Sequence, residues 1–167
     1  MVIPANKWLL GAIPAALLSG ATLWEGTQYY AYYDIAGVPT VCQGYTGKGI
    51  VFGKKYSPEE CLTYLTTELK EHSNGVLNCI SKPLDEKHYI SFSLFAYNIG
   101  VSGFCGSRAA RLFNTGLSEQ ACKAISNGPD GKPVWSYING NVYSRGLYNR
   151  RVYERSICLG VPYVKPT

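Results

Sequence analysis

The chain has 167 residues, a formal net charge of +5 and 46% hydrophobic residues. This length fits one domain with a buried core, and the hydrophobic content excludes a disordered chain. The positive charge favours an anionic partner such as phospholipid headgroups or bacterial wall polymers. Because the basic residues are scattered and form no long run, we do not expect nucleic-acid binding.

The first 24 residues form an apolar segment whose only charged side chain is Lys7. As a helix, residues 8–24 would span roughly 26 Å, near the lower limit for crossing a membrane. Their Ala and Gly content makes insertion only weakly favourable. Four interpretations therefore stand: a cleaved signal peptide, a permanent anchor, an anchor that inserts and later leaves, and a buried core helix. Lys7 would keep the N-terminus cytoplasmic and direct the remaining chain outward.

Residues 24–46 combine two acidic side chains, Glu25 and Asp34, with Thr40, and no other acid lies between the two carboxylates. The sequence before Glu25 is apolar and helix-like. After Asp34, β-branched residues and turn formers predict a hairpin, in a small sheet over about residues 37–54. A carboxylate that ends a helix and one that enters a sheet can face each other across a cleft.

The rest of the chain is predicted to be mainly helical, which makes the fold class α+β. Ser57 and Glu60 form a capping box, and the helix that they begin is expected to end by residues 74–75. A central buried helix is predicted over residues 85–98, because apolar side chains occupy nearly every side of it. Further helices are predicted at residues 107–114, 118–126 and 143–159.

Six cysteines are spread along the chain, namely Cys42, Cys61, Cys79, Cys105, Cys122 and Cys158. No CxxC pair occurs, so we expect no zinc site, no other metal and no cofactor. The even count fits disulfides formed in an oxidising compartment, with six reduced thiols as the alternative. Among roughly 15 possible pairings, we expect Cys42 with Cys61 and Cys79 with Cys158.

Two carboxylates without a catalytic Ser or His indicate acid–base chemistry on an acetal bond. Glycoside hydrolysis needs one protonated carboxyl group for the leaving oxygen and one ionised carboxylate that assists water or stabilises the developing cation. Glu25, next to Trp24 and the apolar segment, is the better proton donor because desolvation disfavours its charged form. Asp34 is then the ionised partner, and Thr40 can hold the water. The alternative is a surface hairpin with ordinary polar residues.

Four collinear motifs within about residues 24–160 resemble the phage-type lysozymes, the endolysins like that of phage T4. The first is the Glu-x8-Asp-x5-Thr spacing of Glu25, Asp34 and Thr40. The other three are residues 95–100 (Phe-Ala-Tyr-Asn-Ile-Gly), 104–116 and 146–154 (Gly-Leu-Tyr-Asn-Arg-Arg-x-x-Glu). One short motif would be weak, but four in the same order are specific.

The resemblance implies a lysozyme-like fold with the small hairpin beside an active-site cleft. It implies a monomeric muramidase that hydrolyses the β-1,4 bond between N-acetylmuramic acid and N-acetylglucosamine in peptidoglycan glycan strands, for host cell lysis. Glu25 would be the acid, Asp34 would assist the water or stabilise the cation, and Thr40 would position the water. Two alternatives are a lytic transglycosylase, which Asp34 and Thr40 argue against, and a membrane-tethered wall-binding protein without catalysis.

The apolar segment is similar to that of the lambdoid signal-arrest-release endolysins. This resemblance divides the chain into a releasable membrane segment, residues 1–24, and a catalytic domain, residues 25–167. The protein would first sit on the periplasmic side of the host inner membrane and later become soluble in the periplasm. Because the segment contains no cysteine, membrane depolarisation would suffice for release.

Two further residues are candidates for supporting roles. The resemblance suggests that Arg150 pairs with Glu25, whereas its spacing also allows an i,i+4 pair with Glu154 on the helix surface. Asn98 can bind a substrate amide or cap its helix. The arginines near the C-terminus are otherwise expected to be solvated.

Overall fold

The computed structural model describes residues 13–167, which divide into two compact units, residues 13–71 and 72–167. The first unit contains α1 (Ala15–Trp24), β1 (Gln28–Tyr33), β2 (Pro39–Cys42) and most of α2 (Pro58–Cys79). The second contains the end of α2, then α3 (Glu86–Ile99), α4 (Val101–Cys105), α5 (Arg108–Asn114), α6 (Ser118–Ala124), β3 (Tyr137–Ile138), β4 (Val142–Tyr143) and α7 (Arg145–Leu159). Helices with small antiparallel sheets confirm the α+β prediction.

The described part of the predicted membrane segment is α1. The helix buries Leu17, Gly20 and Ala21, and it ends where the Glu25 N–H donates to the Ala21 carbonyl at 3.0 Å. The first half of the predicted segment, residues 1–12, lies outside the described residues. Within residues 13–167, every helix is too short or too polar to cross a bilayer.

The first sheet begins earlier than predicted. Asp34 follows β1 instead of preceding the sheet, and the antiparallel pairing of β1 with β2 places Tyr32 opposite Thr40. The expected sheet over residues 37–54 is therefore correct only for β2. The physical reason is the run of tyrosines in residues 28–33, since aromatic side chains favour extended, paired backbone.

A small core and a disulfide fasten the hairpin to α2. Val41, Cys42, Tyr56 and Cys61 are buried together, and the predicted Cys42–Cys61 disulfide is present. The Tyr56 N–H also donates to the carbonyl of Tyr29 in β1 at 2.7 Å. The hairpin is thus held to the start of α2 by both strands.

The start of α2 confirms the capping box. The Ser57 hydroxyl accepts from the Glu60 N–H at 3.1 Å, and the Ser57 N–H donates to the Glu60 carboxylate at 2.8 Å. The predicted end at residues 74–75 is wrong, because α2 continues to Cys79. Gly75 does not end the helix: a Cβ atom there would lie 2.5 Å from the Val101 methyl groups, so this glycine permits close packing with α4.

The second unit is built around α3, as its apolar sequence predicts. Its residues 89–96 are all buried, and Asp85 caps the helix by accepting from the His88 N–H at 3.0 Å. Gly100 ends it with φ +87°, a conformation that favours glycine. Phenylalanines on α3, α4 and α5 form the aromatic part of the core, namely Phe92, Phe95, Phe104 and Phe113.

The second unit contains two disulfides, Cys79–Cys105 and Cys122–Cys158. The predicted pair of Cys79 with Cys158 is therefore wrong, and so is the alternative of six reduced thiols. The continuation of α2 past Gly75 brings Cys79 to α4, with its Cα 5.7 Å from that of Cys105. Cys158 on α7 instead forms its disulfide with Cys122 on α6.

A second hairpin, β3–β4, was not predicted. Tyr137 pairs with Tyr143 and Ile138 with Val142, across a turn in which Asn139 and Gly140 both have positive φ. Asn-Gly between β-favouring residues is a strong signal for a two-residue hairpin turn, and it is present in the sequence. Because β4 includes residue 143, the last helix begins at Arg145 and not at 143.

Candidate active site

Glu25 is placed by the end of α1. Its backbone is extended, with φ −99° and ψ 122°, and its side chain is partly buried. Three residues later the chain enters β1, and this short connection is tied to the end of β2 because the Gln43 amide donates to the Thr27 hydroxyl at 3.2 Å. The helix end and the sheet therefore both restrict where Glu25 can lie.

Asp34 occupies the turn between β1 and β2, not the entry to a strand as the sequence suggested. Its Oδ1 accepts from the backbone N–H groups of Ala36 at 2.8 Å and Val38 at 2.9 Å. Its own N–H donates to the Val38 carbonyl at 3.0 Å. A carboxylate that binds backbone donors in this way defines an Asx turn. One oxygen of Asp34 thus shapes the turn, while Oδ2 makes no hydrogen bond within residues 13–167.

Thr40 lies in β2 and is only 3% exposed. Its hydroxyl donates to the Val38 carbonyl at 2.9 Å, a bond that uses the single hydroxyl proton. The oxygen lone pairs then remain as acceptors. This arrangement can hold one proton of a water molecule, whereas it cannot donate to a substrate oxygen without breaking the bond to Val38.

The structure brings Asp34 and Thr40 to one turn. Both side chains bond to the backbone of Val38, and Glu25 belongs to the same compact unit. Local sequence dictates this part of the site, because an Asp followed by Gly37 and Pro39 favours a tight turn. A carboxylate and a hydroxyl held by hydrogen bonds, with a second carboxylate in the same unit, can support acid–base chemistry.

Asn98 lies in the last turn of α3 and is exposed. It does not cap the helix, because the C-cap is Gly100, whose N–H donates to the Ala96 carbonyl at 2.8 Å. The amide of Asn98 makes no side-chain hydrogen bond in the described part of the chain. A role in binding substrate stays a prediction.

Arg150 bonds to Glu154, which confirms the i,i+4 pair. The Arg150 Nε donates to Glu154 Oε1 at 3.3 Å. The expected surface location is wrong, because the two residues are only 5% and 0% exposed. The pairing of Arg150 with Glu25 stays a prediction.

Arg151 is the closer partner of Glu154. The expectation that the other C-terminal arginines are solvated is wrong for this residue, which is 0% exposed. It binds both carboxylate oxygens at 2.8 Å, and its guanidinium lies 5.1 Å from the centre of the Phe95 ring. Burial raises the pKa of the Glu154 carboxyl, while the adjacent Arg151 and Arg150 guanidinium groups lower it. The signal was available: an Arg-Arg-x-x-Glu sequence on a helix lets both arginines reach one carboxylate.

One group of side chains in residues 13–167 has the composition of a metal site, namely His88, Cys122 and Cys158. The two cysteines form a disulfide, so neither offers a thiolate. This group therefore packs as part of the core and does not provide a metal centre.

The fold defined by these elements is that of the lysozymes. The endolysin of Escherichia coli O157:H7 phage FAHEc1 has a similar structure, with a TM-score of 0.73 and 26% identity over 95% of this chain and 98% of that one. A family profile of phage lysozymes matches residues 22–154, which include Glu25, Asp34 and Thr40. The chain belongs to the phage lysozyme family.

Two similar proteins are known by the name SAR-endolysin. The one from Pseudomonas phage phiKMV is 38% identical over 92% of this chain and 92% of its own length. The one from Enterobacteria phage PA-2 is 34% identical over 89% of this chain and 87% of its own length. These relatives confirm the resemblance on which the sequence-based expectations were founded.

Proposed function

We propose that this protein is an endolysin, a muramidase that hydrolyses the β-1,4 bond between N-acetylmuramic acid and N-acetylglucosamine during host cell lysis. The observation that carries the proposal is the Glu25, Asp34 and Thr40 set, which lies within the family match and has Asp34 and Thr40 bonded to one turn. The SAR-endolysin names of the two relatives support the role in lysis.

In the proposed reaction, Glu25 gives its proton to the glycosidic oxygen as the bond to the anomeric carbon breaks. A water oxygen forms the new bond to that carbon. Thr40 accepts a hydrogen bond from this water, and the Oδ2 atom of Asp34 takes its proton or stabilises the developing cation. The proton that the water loses passes to solvent, by way of Asp34 where that carboxylate accepts it. Glu25 takes up one proton from solvent, which restores the starting protonation state.

The ordered Asp34 favours hydrolysis over the lytic transglycosylase reaction. Transglycosylases need a single acid and form an intramolecular anhydro ring without water, so they have no use for a second carboxylate and a water-binding hydroxyl. We expect products with a reducing-end sugar. Analysis of the released glycan fragments distinguishes the two, because a 1,6-anhydro ring would contradict the hydrolase.

We extend the proposal to the division of the chain. Residues 1–24 would be a releasable membrane segment and residues 25–167 the catalytic domain, exported across the inner membrane and acting as a monomer on glycan strands. The described half of the segment is α1, which buries Leu17, Gly20 and Ala21. A helix with buried residues supports a segment that is retained after release and not cleaved.

The test of catalysis uses purified protein on chloroform-treated Gram-negative cells. We expect Glu25→Gln and Asp34→Asn to slow clearing by a factor on the order of 10² or more, because each removes a proton-transfer group or its charge. Asn at 34 keeps an oxygen for the turn, so thermal unfolding should change little. Glu59→Gln, an exposed acid on α2, is the matched control. Wild-type clearing by Glu25→Gln would refute the proposed enzyme and favour the wall-binding alternative.

The releasable segment is tested by fractionating cells before and after a membrane uncoupler. We expect full-length protein to move from the membrane pellet to the soluble fraction. Protein that stays in the pellet, or that lacks residues 1–20 throughout, would contradict release. Either result leaves the muramidase proposal untouched, since that rests on the clearing assay.

A further inference from the structure

A pocket of about 550 Å³ lies in the second unit, and none of the proposed catalytic residues lines it. It is formed by α5, α6, α7 and the loop that follows α6. Five polar side chains line it, namely Arg108, Gln120, Lys123, Asn127 and Arg155. No acidic side chain lines it, whereas three of the lining side chains, Arg108, Lys123 and Arg155, are cationic.

Arg155 is the fixed element of this pocket. Its Nη1 donates to the Ser126 hydroxyl at 2.9 Å and to the Asn127 carbonyl oxygen, Oδ1, at 3.0 Å. Both partners are neutral, and no carboxylate within residues 13–167 pairs with this partly buried guanidinium. Removing an uncompensated charge from water is unfavourable, so a bound anion would offset that cost. Nε and Nη2 remain as donors for it.

Arg108, the first residue of α5, adds a second guanidinium. It is partly buried and has no hydrogen bond or ion pair in the described ranges of the chain. Guanidinium groups bind oxyanions through two parallel N–H···O bonds, which an ammonium group cannot do. Two such groups around one pocket therefore select a ligand with several oxygens.

Lys123 contributes a movable charge. Its Nζ lies 2.7 Å from Glu119 Oε1, but the two side chains are 59% and 72% exposed. Exposed i,i+4 pairs contribute little to stability, so the lysine can turn into the pocket at small cost. Gln120 adds a neutral donor beside it.

We propose that this pocket binds a phosphate group, either free or carried by an anionic phospholipid headgroup. A phosphate has the charge and the oxygen atoms to bind both guanidinium groups and the ammonium group together. A carboxylate, with one charge and two oxygens, would leave at least one of the three cations unpaired. This inference is independent of the muramidase proposal, because it uses none of the catalytic residues.

The first test titrates the full-length protein with inorganic phosphate at constant ionic strength and measures binding by calorimetry. We expect saturable binding that Arg108→Gln and Arg155→Gln each weaken by about tenfold or more. Lys82→Gln removes the same charge from an exposed residue that does not line the pocket, and it should bind like wild type. Since Arg155 also bonds to Ser126 and Asn127, Arg108→Gln is the variant whose fold should be unaffected, which thermal unfolding checks.

The second test separates the two sources of phosphate. Sedimentation with phosphatidylglycerol vesicles is compared with phosphatidylcholine vesicles for Arg108→Gln and Lys82→Gln. The apolar N-terminal segment can bind vesicles by itself, so the difference between the two variants is the measured quantity. Binding of free phosphate that Arg108→Gln weakens and Lys82→Gln does not, or a loss of phosphatidylglycerol binding in Arg108→Gln alone, supports the site. If the two variants do not differ in binding either ligand, the proposal is overturned.

Discussion

Asp34 and Thr40 hold the backbone of the same residue from opposite sides of the hairpin turn. Val38 donates its N–H to Asp34 Oδ1 at 2.9 Å, and its carbonyl accepts the Thr40 hydroxyl at 2.9 Å. A movement of this turn would therefore displace the carboxylate and the hydroxyl together. The two groups that the proposed mechanism places around one water are coupled through a single residue.

The first prediction concerns the hydroxyl of Thr40. Thr40→Val removes the water acceptor and the bond to Val38, so we expect clearing of cells to slow by about tenfold or more and the free energy of unfolding to fall by about 1 kcal/mol. Thr40→Ser keeps the hydroxyl and should retain most activity. Clearing rates and urea unfolding measure the two effects. Equal activity in the valine and serine variants would remove Thr40 from the mechanism.

The second prediction concerns the buried carboxylate of Glu154. Glu154→Gln removes the buried carboxylate charge that Arg150 and Arg151 share, which we expect to lower the free energy of unfolding by about 3–5 kcal/mol. Glu119→Gln breaks an exposed pair with Lys123 and should cost no more than about 1 kcal/mol. Urea unfolding of both variants provides the comparison. Similar losses would show that burial does not distinguish the two ion pairs.

The third prediction concerns the close approach at Gly75. Gly75→Ala places a methyl group against Val101, so we expect a loss of about 1–3 kcal/mol despite the better helix propensity of alanine. Adding Val101→Ala should recover part of the loss. Gly103→Ala is the control, because its nearest neighbour would lie at 3.4 Å, an ordinary contact. A neutral Gly75→Ala would mean that the two helices separate easily.

The fourth prediction concerns pH and His88. Burial lowers the pKa of His88 from its usual value of 6.5, opposed by Asp85 and aided by Lys87. As pH falls below that value, the unfolded chain takes up the proton before the folded protein does. The free energy of unfolding should therefore fall as pH decreases towards the pKa of His88 in the folded protein. The stabilisation that neutral His88 contributes is fully present only above the usual pKa of histidine.

The measurement compares urea unfolding of wild type and His88→Gln between about pH 7.5 and about pH 5.5. The two proteins differ only at residue 88, so the difference between the two curves reports His88 together with its contact to Asp85. We expect the wild type to lose more stability than the variant over this range. Parallel curves would assign the pH dependence to other groups.

Local chemistry predicted the start of α2 correctly. Ser57 and Glu60 cap this helix, and such a signal acts within a few residues of chain. Asp85, which caps α3, and Gly100, which ends it, act over the same short range. The Asn139-Gly140 dipeptide is also a local signal, because it favours a hairpin turn. The strands β3 and β4 could therefore have been predicted from the sequence, although they were not. Such features depend on backbone geometry and not on distant contacts.

Other outcomes required contacts between distant parts of the chain. Gly75 has the composition of a helix end, yet α2 continues because Val101 packs against the space that the missing side chain leaves. That continuation brings Cys79 to Cys105 and leaves Cys158 for Cys122. No spacing in the sequence distinguishes these pairings from the alternatives.

By itself, the sequence determined the residue types of the candidate site, their order and the family to which the chain belongs. The spacing of Arg150, Arg151 and Glu154 also determined that these side chains can meet on one helix face. Only the tertiary structure decided that the face is buried, because burial depends on which elements pack against it. In the same way, folding of the hairpin decided that Asp34 lies in a turn and shares Val38 with Thr40.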